Sequence, residues 1–171
     1  NQSDYKTTIH RTDIYLGFIH VQHLEYHVVE DILRERKRGG SYQNLEDLVD
    51  RVPMGHEQLI ILIRINALRF TGKTKKELLW KAQLLLKNVK NREKNHEIFP
   101  VRRREFVLPE LEQTPLEDAY DEMELIGFPV TMSTFDMLET SFRGEIMAPD
   151  MLNHVRKKRR MVGNLVSVKN V

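Results

Sequence analysis

Apolar positions recur at helical spacing through most of the first half of this chain. Leu24, Val28, Ile32 and Leu33 mark a first helix, which Gly39-Gly40 ends after the basic last turn Arg36-Lys37-Arg38. Asn44 stands where an N-cap belongs, ahead of a short helix with Leu45, Leu48 and Val49 on one side. Pro53 and Gly55 interrupt, and a third helix follows through Leu59, Leu62 and Ile63. The stretch Leu59–Trp80 joins it to a fourth, which opens on the capping box Thr74-Lys75-Lys76-Glu77. Along that fourth helix Leu78, Leu79, Ala82, Leu85, Leu86 and Val89 share the inward face. No repeat of fixed period appears, although residues 1–90 read as two successive helix–turn–helix units.

The rhythm then changes. Polar residues dominate from Asn88 to about Thr114, as in a connector. Thr114-Pro115-Leu116-Glu117 is a second capping box, with Pro at the first helical position, and it opens an acidic helix that stops at Gly127. Short helical pieces are expected at Phe135–Ser141 and Pro149–Val155. The Val- and Leu-rich end, Met161–Val171, reads as the one strand, whereas residues 1–15 show no useful periodicity. The pattern predicts a mainly α chain in four parts: a helical domain over 1–90, a connector over 91–114, a helical linker segment over 115–160 and a strand over 161–171.

Composition narrows the class. The 171 residues are 40% hydrophobic and 30% charged, with mean hydropathy −0.48, which suits a packed core and no membrane span. There is no Cys, so no disulfide framework, and no signal peptide is visible, which together point to the cytoplasm. The polar start NQSDYKTTIHR reads like a cut through a larger chain. The net charge of +2 hides strong segregation. Residues 73–104 carry eleven Lys or Arg and Arg156–Arg160 are all basic, while residues 105–124 carry eight Asp or Glu and no Lys or Arg. Such blocks attract polyanions at one place and repel them at another.

Two chemistries compete for Leu59–Trp80. Ala67 through Gly72-Lys73-Thr74 fits a relaxed phosphate-loop pattern, which would need a strand before it and Lys73 on the terminal phosphates. The second reading is a helical hairpin gripping a nucleic-acid backbone. There, the unpaired N–H groups of a helix start meet a phosphate, Lys73, Lys75 and Lys76 add charge, and Thr74 hydrogen-bonds an oxygen. His20, His23 and His27 have spacing that would suit a zinc ion, but no Cys or fourth ligand is near in sequence. Glu117, Asp118, Asp121, Glu122 and Glu124 could imitate a two-metal site, or form the solvated acidic face that a helix N-terminus favours. No Ser–His–Asp or Cys–His arrangement is present, and no cofactor is expected.

The order of pieces carries a resemblance. Leu16-Gly17-Phe18-Ile19-His20-Val21, the Arg-rich helix ending in Gly39-Gly40, and LIRINALRFTGKTKKELLW resemble the tandem helix-hairpin-helix region of the bacterial replicative DNA polymerase III alpha subunit. EDAYDEMELIGFPV is similar to that family's next segment, and MVGNLVSVKNV to the opening strand of its OB-fold. The resemblance implies a non-catalytic piece that grips duplex DNA behind the active site. The family's catalytic aspartates lie in a palm domain outside these residues, so the polymerase activity would belong to the parent. His20, Gln22, His23, Asn66 and Arg69 join Lys73, Thr74, Lys75 and Lys76 as implied DNA contacts. Asn95-His96-Glu97-Ile98-Phe99 is similar to the family's clamp-binding pentapeptide, with Asn95, Glu97, Ile98 and Phe99 as the anchor. The implied partners are double-stranded DNA, a sliding clamp and the rest of a polymerase chain. Two departures stand out: the first turn, Val21-Gln22-His23-Leu24, has no Gly, and Asn66 stands where Gly is common.

Overall fold

The computed structural model describes residues 1–92, 114–165 and 167–169, and these are mainly α-helical. Five α-helices appear in chain order: α1 (Tyr26–Gly39), α2 (Leu45–Arg51), α3 (His56–Arg64), α4 (Lys75–Arg92) and α5 (Pro115–Leu125). Single 3-10 turns at Phe18–His20 and Arg69–Thr71 lead into the two longest helices, and a third covers Ala148–His154.

The caps fall where the side chains favour them. Asn44 accepts from the Asp47 amide at 2.8 Å and starts α2. At α4, Thr74 and Glu77 bond each other's amides, at 3.2 and 2.8 Å. Thr114 and Glu117 repeat this box at α5, with Pro115 behind the cap. Gly40, at φ 76°, lets the chain leave α1 in a conformation other residues rarely adopt. The corner beyond it is held by Arg51. Its guanidinium donates to the Glu35 and Gly40 carbonyls and to Asp47, and stacks 4.4 Å over the Tyr42 ring.

One core unites α1 to α4: Val28 and Ile32, Tyr42, Leu45 and Leu48, Leu59, Leu62 and Ile63, and Leu78 and Ala82. α3 is central to it, because it packs against both α4 and α5. The Tyr42 hydroxyl, taken into this interior, donates to the Ile32 carbonyl at 2.8 Å.

Two strand expectations need correction. The segment without periodicity forms an antiparallel hairpin, β1 (Thr8–His10) and β2 (Asp13–Tyr15), with Ile9 opposite Ile14. Three residues per strand are too few for alternation to show, and both isoleucines are exposed, so no buried face marks the pattern. At the other end, Met161 makes only an isolated bridge to Gly144, and residues 162–165 and 167–169 form no strand. A strand needs a neighbour to satisfy its backbone, and among the described residues this segment has a single bridging partner. Phe135–Ser141, expected as a helix, makes only a turn over residues 134–137, closed by Asp136 N–H to the Ser133 carbonyl at 3.0 Å.

Candidate nucleic-acid interface

Two turns carry the hairpin geometry. The first runs from the 3-10 turn Phe18–His20 into α1, and its His23 sits at φ 62°. The second follows α3, and its Asn66 sits at φ 59°. Both left-handed positions that glycine would favour are therefore kept by other residues. Asn tolerates this region well, and His is among the residues enriched there. At the first turn, surrounding bonds fix the conformation. Gln58 on α3, nearly buried, donates from its amide to the His23 carbonyl at 3.1 Å and accepts from the Glu25 N–H at 2.8 Å. At the second, the Asn66 and Ala67 amides bond back to the carbonyls of Ile63 and Leu62 at 2.9 and 3.0 Å.

The first hairpin is also strapped from below. Phe18 and Ile19 donate to the Asp4 and Tyr5 carbonyls at 3.0 and 2.9 Å, and the Gly17 amide to the Thr7 hydroxyl at 3.1 Å. His20 Nε2 lies 2.9 Å from the same hydroxyl and its ring meets Phe128 edge-on. Gln22 and His23 are exposed, yet the Gln22 amide is taken by the Leu125 carbonyl, at the end of α5, at 2.7 Å. In the first turn of α1, the Tyr26 and His27 amides have no intrahelical acceptor.

The sequence-predicted cations divide. Arg69 and Lys73 are exposed, and Lys73 sits beside Gly72, whose φ of 68° closes the turn before α4. Lys75 is different. It is only 6% exposed, and its Nζ lies 2.8 Å from Asp118 and 3.3 Å from Asp121 of α5. Lys76 pairs with Glu117 at 3.2 Å. Thr74, expected to offer its hydroxyl to a phosphate, uses it on Glu77. In this arrangement Arg69 and Lys73 face solvent, while Lys75 and Lys76 face α5.

The acidic helix docks in a position that nothing in its own sequence specifies. Its carboxylates form no metal site among the described residues; Glu117 and Glu124 stay more than half exposed, as on a solvated face, while Asp118 and Asp121 turn toward the bundle. Arg64, absent from the predicted contacts, donates to Asp121 at 2.8 Å and pairs with Glu124 at 2.5 Å. Glu122 turns the other way, 4% exposed, and accepts from the Val130 and Thr131 amides at 2.6 and 2.9 Å. The signal was present as the abrupt switch from basic to acidic blocks, and its meaning depended on α5 folding back. Among the described residues no group of three His, Asp or Glu is arranged to hold a metal ion. His20 instead engages Thr7, and His27 pairs with Glu25 at 3.2 Å. A phosphate loop does not fit either, because the helix α3 stands where that loop needs a strand.

These contacts set a pH dependence. The Lys76 ammonium holds the Glu117 carboxyl below its ordinary value, and the Arg64 guanidinium does the same for Glu124. A carboxylate lowered on folding stabilises the folded state above its unfolded pKa, and that contribution is lost as pH falls through the folded one. The docking of α5 is therefore expected to be constant from neutral pH down to about pH 5 and to weaken below about pH 4. Hydrogen exchange of the α5 amides across that range measures it, and protection unchanged at pH 3 would rule it out.

The fold and its two turns define a mainly α-helical protein with a helix-hairpin-helix motif at its N-terminus. Residues 1–78 match the family model described as the helix-hairpin-helix motif. No curated protein matches the chain. Among the described residues no helix is long and apolar enough to cross a membrane.

Proposed function

We propose that residues 1–92 bind the backbone of double-stranded DNA without reading its sequence. The observation that carries this is the pair of left-handed turn residues, His23 and Asn66, one in each hairpin of the segment that matches the motif. At the first turn the start of α1 leaves the Tyr26 and His27 amides without an intrahelical acceptor, where an anionic oxygen fits. Arg69 and Lys73 flank the second turn as exposed cations, and Gln22 and His23 present polar groups at the first. Phosphate contacts of this kind position a duplex but carry no sequence information.

The finer reading follows the resemblance: a non-catalytic piece of a replicative polymerase that holds new duplex behind the active site. Its clamp-binding peptide, Asn95 to Phe99, lies outside the described residues. An alternative is a scaffold that chiefly docks the clamp; a pull-down with a bacterial sliding clamp, comparing wild type with Phe99→Ala, separates the two. Equal retention of both proteins would remove Phe99 as the anchor.

Binding of a labelled duplex is expected to weaken steeply with salt, by a factor of roughly three for each phosphate contact between 50 and 200 mM. Arg69→Glu with Lys73→Glu should weaken it at least about tenfold and leave the fold intact, because both side chains are exposed. Undiminished affinity in that double variant would move the contact elsewhere, Arg156–Arg160 being the next basic run.

A further inference from the structure

We propose that α5 is a built-in phosphate mimic, occupying the basic face of the second hairpin that a duplex would otherwise contact. The proposal rests on the duplex-binding reading above and adds a regulatory element to it. Three cations beside that hairpin, Arg64, Lys75 and Lys76, are all engaged by one helix. Glu117, Asp118, Asp121 and Glu124 supply the carboxylates, at helical spacing that puts them along one side of α5. At a rise of about 1.5 Å per residue, these four charges are spread over about 10 Å, roughly one every 3.5 Å. The acidic face of α5 thus offers the cations beside the second hairpin a row of anionic oxygens in the place a strand's phosphates would take.

The attachment is of a kind that an outside anion can replace. The buried apolar residues of α5 are Ala119 and Leu125, whereas Leu116, Tyr120 and Met123 remain exposed. Glu122 fastens the loop that follows and not the bundle. Ion pairs to Arg64, Lys75 and Lys76 thus share the attachment with the buried Ala119 and Leu125. A phosphate arriving at Lys75 keeps that shielded ammonium paired throughout the exchange, so it need never lie buried without an anion. At its far end α5 also covers the first hairpin, where the Leu125 carbonyl takes the Gln22 amide. Displacing one helix would open contact points on both turns.

The test uses the full chain and a fluorescent duplex of about 20 base pairs. Asp118→Asn, Asp121→Asn and Glu124→Gln are combined, leaving Glu117 to cap the helix. A control variant, Asp50→Asn, Glu57→Gln and Glu139→Gln, removes the same charge from other exposed sites. At 50 mM salt the first variant should bind more than about tenfold tighter than the control. Its plot of log affinity against log salt should be steeper by about two, since the substitutions free Arg64 and Lys75 and each freed cation releases about 0.9 counterion. Equal affinities of the two folded variants would overturn the proposal. If the first variant fails to fold, wild type decides: saturating duplex should speed exchange of the α5 and Gln22 amides, and unchanged protection in the complex would overturn the mimic while leaving duplex binding intact. Absence of binding by wild type and both variants at every salt would instead remove the duplex-binding reading, and the mimic with it.

Discussion

Gly17→Ala is expected to destabilise the protein by about 3 kcal/mol, at the upper end of what forcing extra atoms into a packed site costs. The backbone angle is not the reason, since φ at Gly17 is an ordinary −77°. Space is. A Cβ there would lie 2.4 Å from Lys6 C and Thr7 N and 2.6 Å from Tyr5 O, all main-chain atoms that no rotamer change can move aside. For the segment to retreat, it must give up the bonds from Phe18 to Asp4 and from Ile19 to Tyr5. The strap beneath the first hairpin would be lost with them. Urea denaturation measures the change, and hydrogen exchange locates it in residues 4–20. A wild-type midpoint with those amides still protected would show that the close approach is not required.

Leu59→Ala should cost about 3 to 4 kcal/mol, within the range of roughly 2–5 for leucines truncated in a closed core. Leu59 is fully buried on α3, among residues contributed by all four of the first helices. Against a total stability of about 5–15 kcal/mol, that is a substantial fraction. The functional consequence would exceed the thermodynamic one. Gln58, its neighbour, sets the first turn through His23 and Glu25, and the second turn starts at the end of the same helix. Loosening α3 should therefore disturb both turns together. Denaturation midpoints report the stability loss, and duplex affinity measured well below the midpoint reports the turns. A loss under about 1 kcal/mol would mean that the core has closed around the gap or that another helix carries the bundle.

How much of this was legible beforehand varies with the range of the interaction involved. Caps at Asn44, Thr74 and Thr114 act over three residues, and each was found where the side chains placed it. The helical periods of α1 to α4 were equally readable, because burial of one helix face leaves a mark at every turn. The hairpin β1–β2 was not, since its isoleucines face solvent. Asn66 stands where glycine is common and keeps the left-handed conformation, whereas no neighbouring residue marks His23 for it. Histidine has a modest preference for that region, and the bonds that settle it come from Gln58, thirty-five residues away.

The candidate interface shows the same division more sharply. Sequence alone determined that a basic helix start follows the second turn and that an acidic helix lies further along the chain. Local propensity and composition suffice for both. Which cations face solvent was decided only by the tertiary structure. Lys73 and Lys75 are two residues apart and carry the same charge, yet one is exposed and the other is enclosed by Asp118 and Asp121. The difference arises from the direction in which α4 presents successive residues and from α5 docking there. Those carboxylates are more than forty residues distant in sequence, and an attraction across that separation has no signature in either segment until the chain folds.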